Sequence, residues 1–226
     1  MALARAGTSL STAEILAFQS AHAAARDAVH WKMDTHALEL ECKSRGWESV
    51  TLQSAAPDRA TYLRRPDLGR QLKAGQSFTL PASYDLTIIL ADGLSALAIH
   101  RHALELYARL QPLLEQNNWH CSPLILVEQA RVAIGDEIGA KLHASIALVL
   151  IGERPGLSAA DSLGAYLTWN PVPGRTDAQR NCISNIRPAG LDYEDAARRI
   201  FLLLTAARSR RLTGVALKEV SGAVLE

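Results

Sequence analysis

Three short apolar runs, separated by stretches of helical periodicity, constrain this chain more than anything else in it. They are LTIIL at Leu86–Leu90, LILV at Leu124–Val127 and the run Ile146–Ile151, and the last is apolar at every position. A strand that does not alternate apolar with polar suits burial on both faces, the situation in a parallel sheet covered by helices. Helices are predicted between the runs, from about Leu94 to Gln116 and near Gly135 to Leu142. The chain therefore reads as successive βαβ units. The fold class expected is α/β: a Rossmann-like, three-layer, mostly parallel sheet preceded by a small N-terminal helical segment.

That segment spans residues 1–46, and the α/β domain residues 47–226, with a boundary that lies anywhere up to about residue 80. Ser11 or Thr12 can cap a first helix with help from Glu14. Ile15, Leu16, Phe18, His22, Ala25, Val29 and Met33 trace a broad apolar face on it, and Gly46 ends the segment. Val50–Gln53 reads as a short strand, Tyr62–Leu72 as a short or bent helix, and Gly75–Pro81 as a loop. Cys182–Ser184 and Gly214–Leu217 are candidate short strands. Leu191–Arg211 has acids at its start and arginines towards its end, as the helix dipole favours.

The 226 residues, 48% of them hydrophobic, are enough for a sizeable core. Lys plus Arg number 24 against 23 for Asp plus Glu, a formal charge of +1 that gives no reason to expect nucleic acid or a membrane surface as partner. Cys42, Cys121 and Cys182 are far apart and form no CxxC pair, which supports neither zinc nor a disulfide framework and suits a reducing compartment. No apolar run reaches the roughly 18 residues of a membrane span. Met1–Thr12 lacks the apolar core of a signal peptide, so a soluble, cytoplasmic protein is expected.

The least interchangeable text is Leu148–Pro188, where Gly152-Glu153-Arg154-Pro155-Gly156 follows directly on a buried strand. Open α/β sheets bind ligands beyond the carboxyl ends of their strands, and Gly, Pro, Glu and Arg suit a ligand-facing loop. An ordinary βα turn with solvated Glu153 and Arg154 accounts for it equally well. Asp92-Gly93-Leu94-Ser95 also follows a strand, but helix capping by Asp92 or Ser95 is the simpler reading. His100 and His102, two apart on a helix, point to different faces and suit a surface or subunit-contact pair better than a metal site. No nucleophile elbow, phosphate loop or dinucleotide fingerprint is present.

The segments GERPGLS, DSLGAY and RNCISNIRP, with RAGTSLST at Arg5–Thr12, FQSAHAAARDAV at Phe18–Val29, YLRRPDLGR at Tyr62–Arg70, ADGLSALA at Ala91–Ala98 and ARVAIGDEIGA at Ala130–Ala140, occur in one order along nearly the whole chain. In that order they resemble the small subunit of ethanolamine ammonia-lyase, which turns ethanolamine into acetaldehyde and ammonia with adenosylcobalamin. The resemblance implies a hetero-oligomer in which a large subunit, a barrel, holds the substrate while this chain presents loops to the corrin. It implies cofactor contacts at Val132, Glu153 and Cys182, no catalytic residue on this chain, and no activity without the partner. Each contact has a plainer reading beside it: core packing for Val132, a surface ion pair with Arg154 for Glu153, an inert buried thiol for Cys182.

Asp34-Thr35-His36 begins like the D-x-H-x-x-G motif that supplies cobalt with a His ligand, but Glu39 stands where the Gly belongs. The cofactor is therefore expected to keep its own dimethylbenzimidazole, with no metal ligand from this chain. Trp31, Trp47, Trp119 and Trp169 are candidate anchors for the large subunit. The chain starts almost at RAGTSLST, so packaging in a bacterial microcompartment is doubtful. The alternatives are a non-catalytic cobalamin-binding or scaffold module of the same family and an independent small-molecule α/β enzyme.

Overall fold

The computed structural model describes residues 5–6, 9–76, 80 and 83–217. Two short paired strands, β1 (Arg5–Ala6) and β2 (Ser9–Leu10), precede α1 (Thr12–His30). Ser11 starts that helix with a reciprocal cap: its Oγ accepts from Glu14 N at 3.3 Å, and its own N donates to Glu14 Oε2 at 3.0 Å. The apolar face predicted for α1 is not a core face. Ile15, Leu16 and Phe18 are exposed, and Ala28 is the residue of this helix that is buried. Nor does the helix run on to Met33. A new helix, α2 (Thr35–Ser44), starts with Asp34 Oδ1 accepting from Ala37 N at 3.0 Å, and Leu38 and Cys42 carry it into the core. Asp58 caps α3 (Arg59–Arg64) in the same manner.

The predicted strands other than Gly214–Leu217 lie in one six-stranded sheet. Its members are β3 (Ser49–Gln53), β4 (Leu86–Ala91), β5 (Leu124–Glu128), β6 (Ile146–Gly152), β7 (Leu163–Trp169) and β8 (Arg180–Ile186), in the order β3-β5-β4-β6-β7-β8. The first four in that order are parallel, and β7 and β8 extend the sheet antiparallel from β6. Every residue of β4 and β6 is buried, as their unbroken apolar runs require. β7 was not anticipated. Gly214–Leu217 is not a strand: Gly214–Ala216 form a 3-10 turn entered through Gly214 at φ +85°. Of the expected Gly75–Pro81 loop, residues 77–79 and 81 lie outside the described residues.

Helices cover both faces. On one, α2, the helix formed by α4 (Ala96–Ala98), a π turn at Ile99–Ala103 and α5 (Leu104–Gln116), and the late helix α7 (Tyr193–Arg210) close over Leu86, Ile88, Leu90, Leu148 and Leu150. On the other, α6 (Ile134–Lys141) covers Ile89, Ile125, Ala147 and Val149. The result is the predicted three-layer α/β architecture. Tight nesting holds the layers at the carboxyl end of β6: a Cβ on Gly152 would lie 2.0 Å from Ser95 O, and one on Gly93 2.2 Å from Gly152 O.

Candidate functional site

The carboxyl ends of β4, β5 and β6 face the loops that the sequence marks as ligand-facing, but the crevice between β4 and β5 is filled by protein. Asp92 does not cap α4, whose N-terminal Ser95 makes no side-chain cap bond. Its buried carboxylate instead accepts from Ala130 N at 2.9 Å and from Arg59 Nη1 at 3.2 Å, and burial pushes its pKa up to about 6. Arg59 Nε donates to Val29 O and Nη1 to Gly93 O, each at 2.8 Å, so α1, α3 and the β4–α4 turn meet on one guanidinium. The cavity at this end of the sheet lies beyond β3 and β5 instead, lined by Gln53, Ser54, Asp58, Arg59, Glu128 and Gln129.

The three expected contacts share the α6 face of the sheet. Val132 lies two residues before α6 and packs, half-buried, on the core of that face. Glu153 follows β6 and lies across Gly164, where a Cβ would stand 3.0 Å from its Oε1 and 3.1 Å from the Tyr166 ring. Cys182 pairs with Tyr166 across β7 and β8 and is solvent-exposed rather than an inert buried thiol. Desolvation raises the pKa of both groups, so thiol and phenol are protonated at neutral pH.

Glu153 makes no ion pair with Arg154 among the described residues. Its Oε2 accepts from Ser162 Oγ and, at 3.2 Å, from Asn185 N, while its backbone N donates to Ser162 O at 2.9 Å. Oε1 has no donor among the described residues. The carboxylate is thus fixed through one oxygen and open to a donor through the other. Ser162, Gly164 and Tyr166 escaped the sequence reading because no strand was placed there. The signal was present, since Ser162-x-Gly164-x-Tyr166 has the period of two that puts side chains on one face. Asn185, at φ +59°, gave no such signal.

Other expectations change. His102 is not at the surface: it is buried with Nδ1 2.7 Å from the Tyr193 hydroxyl, and its Nε2 sits 3.3 Å from Asp161 Oδ2 without hydrogen-bond alignment. Burial lowers its pKa. His100 accepts from Asp34 N through Nε2 at 3.0 Å. Of the four tryptophans, Trp31 is 53% exposed, Trp47 and Trp169 are half-buried, and Trp119 is a core residue under Arg208, which removes it as a docking anchor. Among the described residues no group of three or more His, Cys, Asp or Glu could hold a metal ion, and no helix is long and apolar enough to cross a membrane.

A family model described as the ethanolamine ammonia-lyase light chain matches residues 1–218. The chain is also similar to curated ethanolamine ammonia-lyase small subunits. That of Pseudomonas fluorescens strain Pf0-1 is 53% identical over 226 residues, 97% of this chain and 82% of the relative. That of Ralstonia nicotianae strain GMI1000 is 50% identical over 228 residues, 98% and 84% of the two chains. That of Xanthomonas campestris pv. campestris strain B100 is 51% identical over 226 residues, 97% and 83%.

Proposed function

This chain belongs to the ethanolamine ammonia-lyase light-chain family, and from that membership we propose that it supplies one wall of an adenosylcobalamin site at its boundary with a large, barrel-shaped catalytic subunit. The observation that supports the reading is that Val132, Glu153 and Cys182, which are 50 residues apart end to end, lie on one face of the sheet, Val132 and Glu153 beyond the carboxyl ends of β5 and β6 and Cys182 level with the middle of β6. The corrin is fringed with amides, whose N–H groups need acceptors and whose methyl-bearing rim needs apolar contact. Glu153 Oε1 is a pre-oriented acceptor, Val132 gives half-exposed apolar surface, and the protonated Cys182 gives a small polarizable contact. The residues present therefore fit the cofactor.

When bound, the cofactor supplies the radical chemistry of the reaction. The work of this chain is to orient it and to exclude water from its side of the boundary. Glu153, fixed by Ser162 and Asn185, sets the position of one corrin amide without a rearrangement on binding. No side chain here is assigned to substrate, which belongs to the large subunit.

Co-expression with a large subunit of the family, followed by an ammonia-release assay on ethanolamine, tests the reading. Release is expected only when both subunits and adenosylcobalamin are present. Steady release by this chain with the cofactor alone would overturn the division of roles.

A further inference from the structure

Arg180 and Asp136 form a buried, two-pronged ion pair that the site described above does not use. Nη1 donates to Asp136 Oδ1 at 2.7 Å and Nη2 to Oδ2 at 2.6 Å, and each side chain is 2% exposed. The same guanidinium donates to Thr168 Oγ1 at 2.7 Å and to Arg175 O at 3.0 Å. Arg180 opens β8 two residues before Cys182, so the two side chains share a face of the strand. Asp136 lies in the first turn of α6, one helical turn after Val132, and Gly135 N donates to Val132 O at 3.1 Å. The pair therefore joins the helix that begins just after Val132 directly to the strand that carries Cys182.

We propose that Arg180 and Asp136 are positioning residues that fix the spacing of the cofactor contacts across the α6 face. This inference rests on the cobalamin reading above. Stability alone is a poor account of the pair, because two desolvated charges cost several kcal/mol each and an apolar pair of similar volume often serves as well. Apolar packing of α6 on β6, such as Gly135 against Val149, holds the helix down but fixes its sideways register weakly. A bidentate fork fixes direction and distance together.

Two variants of the assembled two-subunit complex test it: Arg180→Lys, which keeps the charge and loses the fork, and Arg180→Met combined with Asp136→Leu, which removes both charges. Each is put through size exclusion, a thermal melt and an adenosylcobalamin titration. Both variants are expected to assemble and the double variant to melt near the wild type, while each binds the cofactor roughly tenfold or more weakly, the scale of loss when supporting residues around a bound group are removed. Wild-type affinity in either assembled variant overturns the proposal, and so does failure of both variants to fold, which makes the pair structural. If the wild-type complex binds no cobalamin, the underlying reading falls and this one with it.

Discussion

Glu153 engages Ser162 and the Asn185 N–H of β8 through one carboxylate oxygen and has no donor on the other among the described residues, so its orientation is set before any ligand arrives. Glu153→Ala removes that acceptor and is expected to cost about 1–3 kcal/mol of cofactor binding in a dry site. This corresponds to roughly 5-fold to 150-fold weaker adenosylcobalamin binding by the assembled complex. The melt should barely move, since Asn185 N is exposed enough for water to replace the carboxylate. His102 carries a second residue-scale prediction. Asp161, Arg101, Tyr193 and Glu105 are the titratable groups around it, and burial holds its pKa below the ordinary 6.5. As pH falls through 6.5 the unfolded chain takes up a proton that the native His102 refuses, so stability is lost on acidification. Between about pH 7.5 and 5.5 the melting temperature of the wild type should drop further than that of His102→Gln, which does not titrate. Glu153 was legible in the sequence because a buried strand points at it. His102 was not, because spacing along a helix does not say which neighbour will cover it.

Elements were legible where burial was uniform. β4, β5 and β6 lie at or within a residue or two of where their apolar runs end, and the capping box of α1 forms as its residues imply. β7 was missed because Gly164 and Ala165 dilute its pattern, although Leu163, Ala165 and Leu167 face one core and Gly164, Tyr166 and Thr168 the other side. The apolar stripe of α1 predicted burial that the described structure does not provide, since amphipathicity records a preference for contact and not which surface supplies it. The most demanding junction between elements is the seat of the β6 end against the β4–α4 turn. Gly152→Ala would drive a Cβ to 2.0 Å from Ser95 O, backbone that cannot swing aside. An expected loss of about 3 kcal/mol should show as a lower denaturation midpoint. A midpoint matching the wild type would mean that the two segments are not nested as described.

For the whole molecule, the α/β architecture places one rim of loops on a common surface, and family membership implies a large-subunit partner, which we propose meets that rim. Half of a cofactor site, as proposed, would account for an oriented acceptor, an exposed protonated thiol and an apolar rim on one face. Composition and periodicity alone led only to the α/β class. The subunit identity was legible through the ordered motifs, and the way Val132, Glu153 and Cys182 come to share a face needed the sheet order, in which β7 and β8 place Cys182 two strands from β6. The most direct measurement is an adenosylcobalamin titration of this chain, of the large subunit and of the assembled complex. Tight binding is expected for the complex, with neither subunit approaching it alone. A large subunit that binds the cofactor as tightly by itself as it does in the complex would contradict the claim that this chain supplies part of the site.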